Sequence, residues 1–295
     1  LEEITLENLS LVIRGRSIGD KELEEIRALV QKYWPKGRAE ISRQICHLWD
    51  WKQPNGWLKD RACRDLLLTL EKKELISLPK RKNPGPQGKK NVQTQGFLID
   101  TSVCKGSITD YSSLTFSMVR KSSKEKLWDH LVHTHHYLGK PFIVGSYLKY
   151  IAYLDGQIAA CIGWGSAAWK VNDRDQFIGW DQQTRKRNLH LIAGNVRFLI
   201  LPWVQVPHLA SKILAANAKL LKKDWLDFYN LPLALLETFV DTSRFYGTCY
   251  RAANWIHVGE TAGSAKRGAS YHYHGQSKAV FVYPLDKKFR ERLHG

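Results

Sequence analysis

Two segments, NVRFLILPWV (195–204) and LPLALLETFVD (231–241), are almost unbroken runs of apolar residues, and they restrict the possible folds more than any other feature of the chain. A strand with one wet face alternates apolar and polar residues, so a continuous run implies a strand covered on both faces, inside a sheet. Between the two lies PHLASKILAANAKLLKKDWLDFY (207–229), whose apolar residues recur at helical spacing. An α/β architecture is expected.

The flanking segments extend this pattern. YLKYIAYLDGQIAACIGWGSAAWK (147–170) predicts two strands joined at Asp155–Gly156, a residue pair suited to a tight hairpin turn. RFYGTCYRAANW (244–255) predicts a turn at Gly247 and a short helix, with a further strand in IHVGET. SKEKLWDHLVHTHHYLG (123–139) predicts a helix with Leu127, Trp128, Leu131 and Val132 inward. On it His130 and His133 have the spacing of a helical ligand pair, but no HExxH and no nearby carboxylate completes a set, so no metal is assigned.

The clearest boundary is KRKNPGPQGKKNVQTQG (80–96), where Pro and Gly break the periodicity and like charges resist collapse. It divides the chain into 1–90 and 91–295. In the first part, 20–33 places Leu23, Ile26, Leu29, Val30 and Tyr33 on one helical face with Asp20 as cap. A second short helix follows. A third carries Leu58, Ala62, Leu66 and Leu70 as its apolar stripe, then runs into the strand-like LISL (75–78) and the basic loop as a wing. Three helices, a strand and a basic wing make the plan of a winged helix.

Lys and Arg number 45 against 28 acidic residues, a net charge of +17. Such an excess draws phosphate polymers by counterion release, so nucleic acid, DNA ahead of RNA, is the expected partner. Lys59, Arg61 and Arg64 on the third helix are the candidate duplex contacts, and Lys170, Arg185, Arg244 and Arg251 the candidate backbone clamps. TRKRN (184–188) and SAKRGASYHYHG (264–275) repeat the basic theme beside Trp169 and Trp180 or beside Tyr and His, a mixture suited to single strands. The five cysteines are odd in number and form no CxxC, which speaks against a disulfide framework and fits a reducing cytoplasm. No apolar run approaches the roughly 18 residues of a membrane span.

Chemistry is expected around the end of the second apolar run. Glu237 and Asp241, four residues apart, share a strand face and suit one cation, a hard one such as magnesium, or an arginine; the plainer reading pairs Glu237 with Arg244 or Arg251. Cys249 is a nucleophile candidate if a neighbouring cation lowers its pKa, and otherwise a packed residue. Tyr250 is either an acid or stacking group, or a core tyrosine with a satisfied hydroxyl. No cofactor is assigned.

The order hairpin, strand, helix, strand, short helix, strand resembles an acyltransferase fold of the GNAT type. That resemblance implies a tyrosine near the sulfur of acetyl-CoA, matched by Tyr250 in Tyr250–Asn254–Trp255. It also implies a glycine-rich pyrophosphate loop, whereas the equivalent WVQVPHLAS (203–211) has no glycine and Pro207 removes a donor. HYLG (136–139), GSAAWK (165–170), FIGW (177–180), RFLILPWV (197–204), ETFVD (237–241), GTCYRAANW (247–255) and VYPL (282–285), in that order, resemble the Druantia protein A family. The resemblance implies phage defence, or transposon biology through related proteins near transposase genes. Within it three functions are open: binding or processing of nucleic acid alongside other system proteins, acyl transfer to a macromolecular acceptor, and non-catalytic assembly.

Overall fold

The computed structural model describes residues 11–81, 96–267, 270–273 and 275–295, with no side-chain description for 264–274. The chain divides into two compact units, Leu1–Gln93 and Thr94–Gly295. The wing residues from 82 onward, and the side chains of the basic–aromatic stretch 264–274, lie outside the described residues.

In the first unit a short hairpin of β1 (Leu11–Ile13) and β2 (Arg16–Ile18) precedes α1 (Asp20–Tyr33), α2 (Arg38–Leu48) and α3 (Asp60–Lys72). Ile26, Ile41, Ile45, Cys63, Leu66 and Leu70 meet at its centre, all fully buried. Two expectations are corrected. Asp20 is the first helical residue and not the cap; the cap is Gly19, whose N–H donates to Glu22 Oε2 at 2.9 Å. LISL forms no strand: Ile76 and Leu78 are buried over the helices, and the paired strands stand before the helices instead. An extended segment with apolar side chains can be held by packing alone when no neighbouring strand offers a ladder.

The second unit runs β3 (Cys104–Lys105), β4 (Leu114–Met118), α4 (Glu125–His135), β5 (Tyr147–Leu154), β6 (Gln157–Ser166), α5 (Asn172–Ile178), α6 (Gln182–Asn188), β7 (Ile192–Ile200), β8 (Val204–Gln205), α7 (Leu209–Tyr229), β9 (Leu235–Val240), α8 (Thr248–Ala252), β10 (Ile256–Glu260), β11 (Ser264–Arg267), β12 (Ser270–Tyr273), β13 (Ala279–Pro284) and α9 (Phe289–His294). Seven strands form one mixed sheet in the order β10-β13-β9-β7-β6-β5-β4. Within this sheet only β7 and β9 pair in parallel, joined through the long helix α7; outside it the short β3 and β8 also pair in parallel. The sheet is thus the mixed α/β layout that the element order implied. The β5–β6 hairpin turns at Asp155 and Gly156, both with positive φ, which a two-residue turn of this twist demands. The core joins Trp128 of α4, Trp164 of β6, Trp225 of α7 and Phe281 of β13, each no more than 1% exposed.

The apolar-run argument holds for all of β9 except the half-buried Phe239, and for only half of β7. Ile192–Asn195 are buried, whereas Val196–Ile200 are half-buried. The reason is a break in the sheet.

Candidate functional site

β7 and β9 are paired only from Ile192–Asn195 to Leu235–Thr238. At that point the β6–β7 register skips Val196, because Gly163 pairs with Arg197 and Trp164 with Asn195. Such a bulge bends its strand, and here it stands where β7 parts from β9. Asn195 Nδ2 secures the bulge by donating to the carbonyl oxygens of Gly163, at 3.0 Å, and Arg197, at 3.2 Å. Beyond the fork, Val196–Ile200 and Phe239–Val240 face a cleft of about 830 Å³. Its size is within the usual range for ligand sites.

The cleft floor is polar. Tyr250 of α8 donates its hydroxyl to Asn195 Oδ1 at 2.9 Å and receives Thr238 Oγ1 at 3.5 Å. Burial pushes the Tyr250 phenol well above its usual range, so it is a proton-bearing donor at neutral pH. The ring packs on Phe281 and Trp255, with centroids 5.9 and 5.2 Å away. Gly247 permits this placement: its φ is +68°, and a Cβ there would lie 2.7 Å from the Phe281 ring.

Glu237 is wholly buried and fully engaged. Oε2 accepts from Arg174 Nη1 at 2.6 Å and Oε1 from the Ala168 N–H at 2.7 Å. Arg174 continues to Asp175 Oδ1, and Asp175 Oδ2 accepts from Arg185 Nη1 at 3.0 Å. Burial works against the Arg174 charge, but Glu237 and Asp175 outweigh it and hold its pKa above the ordinary value. The network ties the loop after β6 to β9 beneath the cleft.

The mouth is different. Asp241 accepts from the hydroxyl and N–H of Ser243, which lower its pKa, and Arg244 Nε lies 3.9 Å away. Arg197, Arg244 and Lys278 line the same cleft, with His136, Tyr137, Phe245 and Tyr246. His136 is pushed down to about 4 by burial and the nearby Arg197. Its Nδ1 accepts from the Leu138 N–H at 3.1 Å, as only an unprotonated nitrogen can. With Glu237 neutralised by Arg174, three cations face the single carboxylate of Asp241 around the mouth.

In the first unit, Lys36, Arg38, Arg64, Lys80 and Arg81 line a separate groove of about 340 Å³ over Leu67, Leu68 and Leu78, with no carboxylate in its wall. Arg38 is held by Glu71 and the Pro79 carbonyl, and Arg64 by Asp60 at 3.0 Å. Lys36, Lys80 and Arg81 are exposed, Lys36 with its ammonium 5.5 Å from the Tyr33 ring centre.

Residues 69–269 match the sequence profile of the family described as Druantia protein DruA. The chain belongs to that family. Membership gives this DruA-family chain a place in anti-phage defence. No curated protein matches the chain. Among solved structures, it is similar to an aminoglycoside acetyltransferase in complex with coenzyme A, at 16% identity over 62% of this chain and 100% of that one, TM-score 0.40. It is also similar to an N-acetyltransferase from Staphylococcus aureus Mu50, at 8% identity over 59% and 99%, TM-score 0.38. A third is the ribosomal-protein-S18-alanine N-acetyltransferase from Escherichia coli, at 12% identity over 59% and 95%, TM-score 0.37.

Within this DruA-family chain the site residues expected from the sequence scatter over different environments. Glu237, Asp241, Cys249, Tyr250 and Arg244 all line the cleft. Cys249 gains no activating cation; burial raises its pKa, which opposes a thiolate. The partner of Glu237 is Arg174 and neither Arg244 nor Arg251. Arg251 is exposed, with its guanidinium 5.0 Å from the Phe281 ring centre. Lys170 is exposed beside Trp169, which is half exposed. Arg185 is corrected: it is 8% exposed and bound to Asp175, so its charge cannot clamp a phosphate at the surface. Trp180 is likewise buried and donates to Asp175 Oδ1 at 3.0 Å, which removes it from the stacking patch. Lys59 precedes α3 as its cap residue, and Arg61 is exposed on the first turn.

Sequence reasoning missed Asn195, Arg197 and the pairing of Arg174 with Glu237, since Arg174 reads as one more surface cation beside Trp169 and Trp180. The first two interrupt the apolar run of β7, and that interruption was the available signal. Among the described residues no cluster of three or more His, Cys, Asp or Glu is arranged to hold a metal, and no helix is long and apolar enough to cross a membrane.

Proposed function

We propose that this chain acts in anti-phage defence by binding nucleic acid, DNA in preference to RNA, alongside other proteins of its system. The supporting observation is the groove of the first unit, where the exposed Lys36, Lys80 and Arg81 stand beside Arg38 and Arg64, whose charges are paired with Glu71 and Asp60. Three solvated cations around one groove suit a phosphate backbone, and apolar packing beneath holds them in place. In this reading the three helices work as a winged-helix-like reader, with Lys59 at the cap of α3 and Arg61 and Arg64 on its first turns adding duplex contacts. A shift assay on duplex DNA across a salt series tests it. Replacing Lys36, Lys80 and Arg81 with alanine should flatten the slope of log K against log salt by about 2 to 3. Absence of binding, or a slope unchanged by the triple variant, would refute the reading.

A second reading is favoured by the fork between β7 and β9. Parted strands leave backbone donors and acceptors inside a sheet, suited to an extended amide-bearing donor such as an acyl-CoA, with the Tyr250 phenol as the acid at the floor. Calorimetry with acetyl-CoA decides it: micromolar binding supports acyl transfer, and no heat removes it.

A further inference from the structure

We propose that the mouth of the β7–β9 cleft holds unpaired nucleobases, stacking them on Phe245 and Tyr246 while Arg244 and Lys278 take the adjoining phosphates. The inference rests on the nucleic-acid reading and assigns it a second, single-strand site.

The first observation is exposure. Tyr137 is 42% exposed, Phe245 50% and Tyr246 86%, all on one rim. Isolated apolar side chains on a surface are ordinary, whereas adjoining aromatic rings at a cleft mouth mark a contact surface. The second is their arrangement. His136 stacks on Tyr137 at 4.8 Å between ring centres, Tyr137 leans on Phe245 at 5.6 Å, and the Arg244 guanidinium lies 4.9 Å from the Tyr137 ring centre. Tyr137 and Phe245 are therefore fixed by their neighbours and leave the outer face of Phe245, with the exposed Tyr246 next to it in the chain, to a ligand, with little ordering left to do at Phe245 on binding.

Charge selects the ligand. Three cations line the cleft, Arg197 donating to the carbonyls of Gly139, Val196 and Leu138 and leaving Arg244 and Lys278 for phosphate, against two carboxylates, of which Glu237 is neutralised inside and Asp241 is held by Ser243. The imidazole of His136 is uncharged at neutral pH and stacks on Tyr137, so it adds no charge to the rim. An apolar peptide would use the rings and waste the cations; a phosphate alone would use the cations and waste the rings. Stacked bases on a phosphodiester use both, and in duplex DNA those base faces are covered by their neighbours. The same chemistry is carried by a free nucleotide, so the test separates the two sources.

Binding of a labelled oligothymidylate by the full chain is measured by anisotropy for Phe245→Ala, Tyr246→Ala and Phe245→Trp, with duplex DNA in parallel. The two alanine variants should each weaken single-strand binding by roughly tenfold or more, the tryptophan variant should keep it, and duplex binding should not move. Both positions are at the surface, so circular dichroism should show an unchanged fold. Adenosine monophosphate as competitor assigns the source: weak competition supports a strand, and competition as strong as that of the oligonucleotide retains the stacking site for a free nucleotide. Wild-type single-strand affinity in a Phe245→Ala, Tyr246→Ala double variant overturns the inference. So does a wild-type chain that binds duplex through the first-unit groove and ignores single strands, which leaves the broader reading intact. A chain that binds neither ends both.

Discussion

Glu237 and Asp241 stand four residues apart on and just beyond one strand, with the same charge, and occupy opposite worlds. Glu237 has no exposed surface and satisfies both oxygens with Arg174 and the Ala168 N–H. Asp241 sits at the cleft mouth, bonded to Ser243 and 3.9 Å from Arg244. A shared face put both beside one cleft, yet depth gave them different work: the inner carboxylate fastens the scaffold, and the outer one tunes the charge a ligand meets.

The sharpest way to break this contrast is Glu237→Ala. It leaves the Arg174 guanidinium buried beside one carboxylate instead of two, and about 3 to 5 kcal/mol of stability should be lost in urea unfolding. A loss below about 1 kcal/mol would mean that the network is not what holds the loop. Gly247→Ala tests the floor in the same assay. The new methyl meets Phe281 at a backbone angle that non-glycine residues resist, and about 1 to 3 kcal/mol should be lost.

Acid should act on the mouth. His136 is protonated near 6.5 when unfolded and only near 4 when folded. Between those values the unfolded chain binds more protons, so the contribution of His136 is complete above 6.5 and is drawn down as pH falls towards 4. His135, lowered chiefly by burial, adds in the same direction. Urea midpoints over this range should fall in the wild type and less steeply in His136→Phe. The smallest effect belongs to Asp241→Asn, which should change stability by no more than about 0.5 kcal/mol. The same substitution should tighten binding of an anionic ligand at the mouth, because it removes the carboxylate nearest Arg244; unchanged binding would separate Asp241 from the ligand path.

Much of this was legible in the chain. Apolar runs, a hairpin turn and a helical stripe are local signals, and they located β5, β6, β9 and α7. What failed was non-local. LISL lacked a strand partner, and Arg185 was read as a surface cation because TRKRN contains no acid, whereas its partner Asp175 lies ten residues earlier on α5. The aromatic rim joins residue 137 to residue 245, a pairing no window of sequence displays.

By itself the sequence determined that β7 and β9 must be interior strands and that a buried Glu237 needs a cation, since water cannot compensate either inside a core. Which arginine answered, and that β7 would part from β9 at Val196 to open a cleft, was decided only when distant segments packed. Hydrophobic patterning sets which residues go inside, whereas the bulge, the ion network and the rim depend on distances between elements that only the folded chain defines.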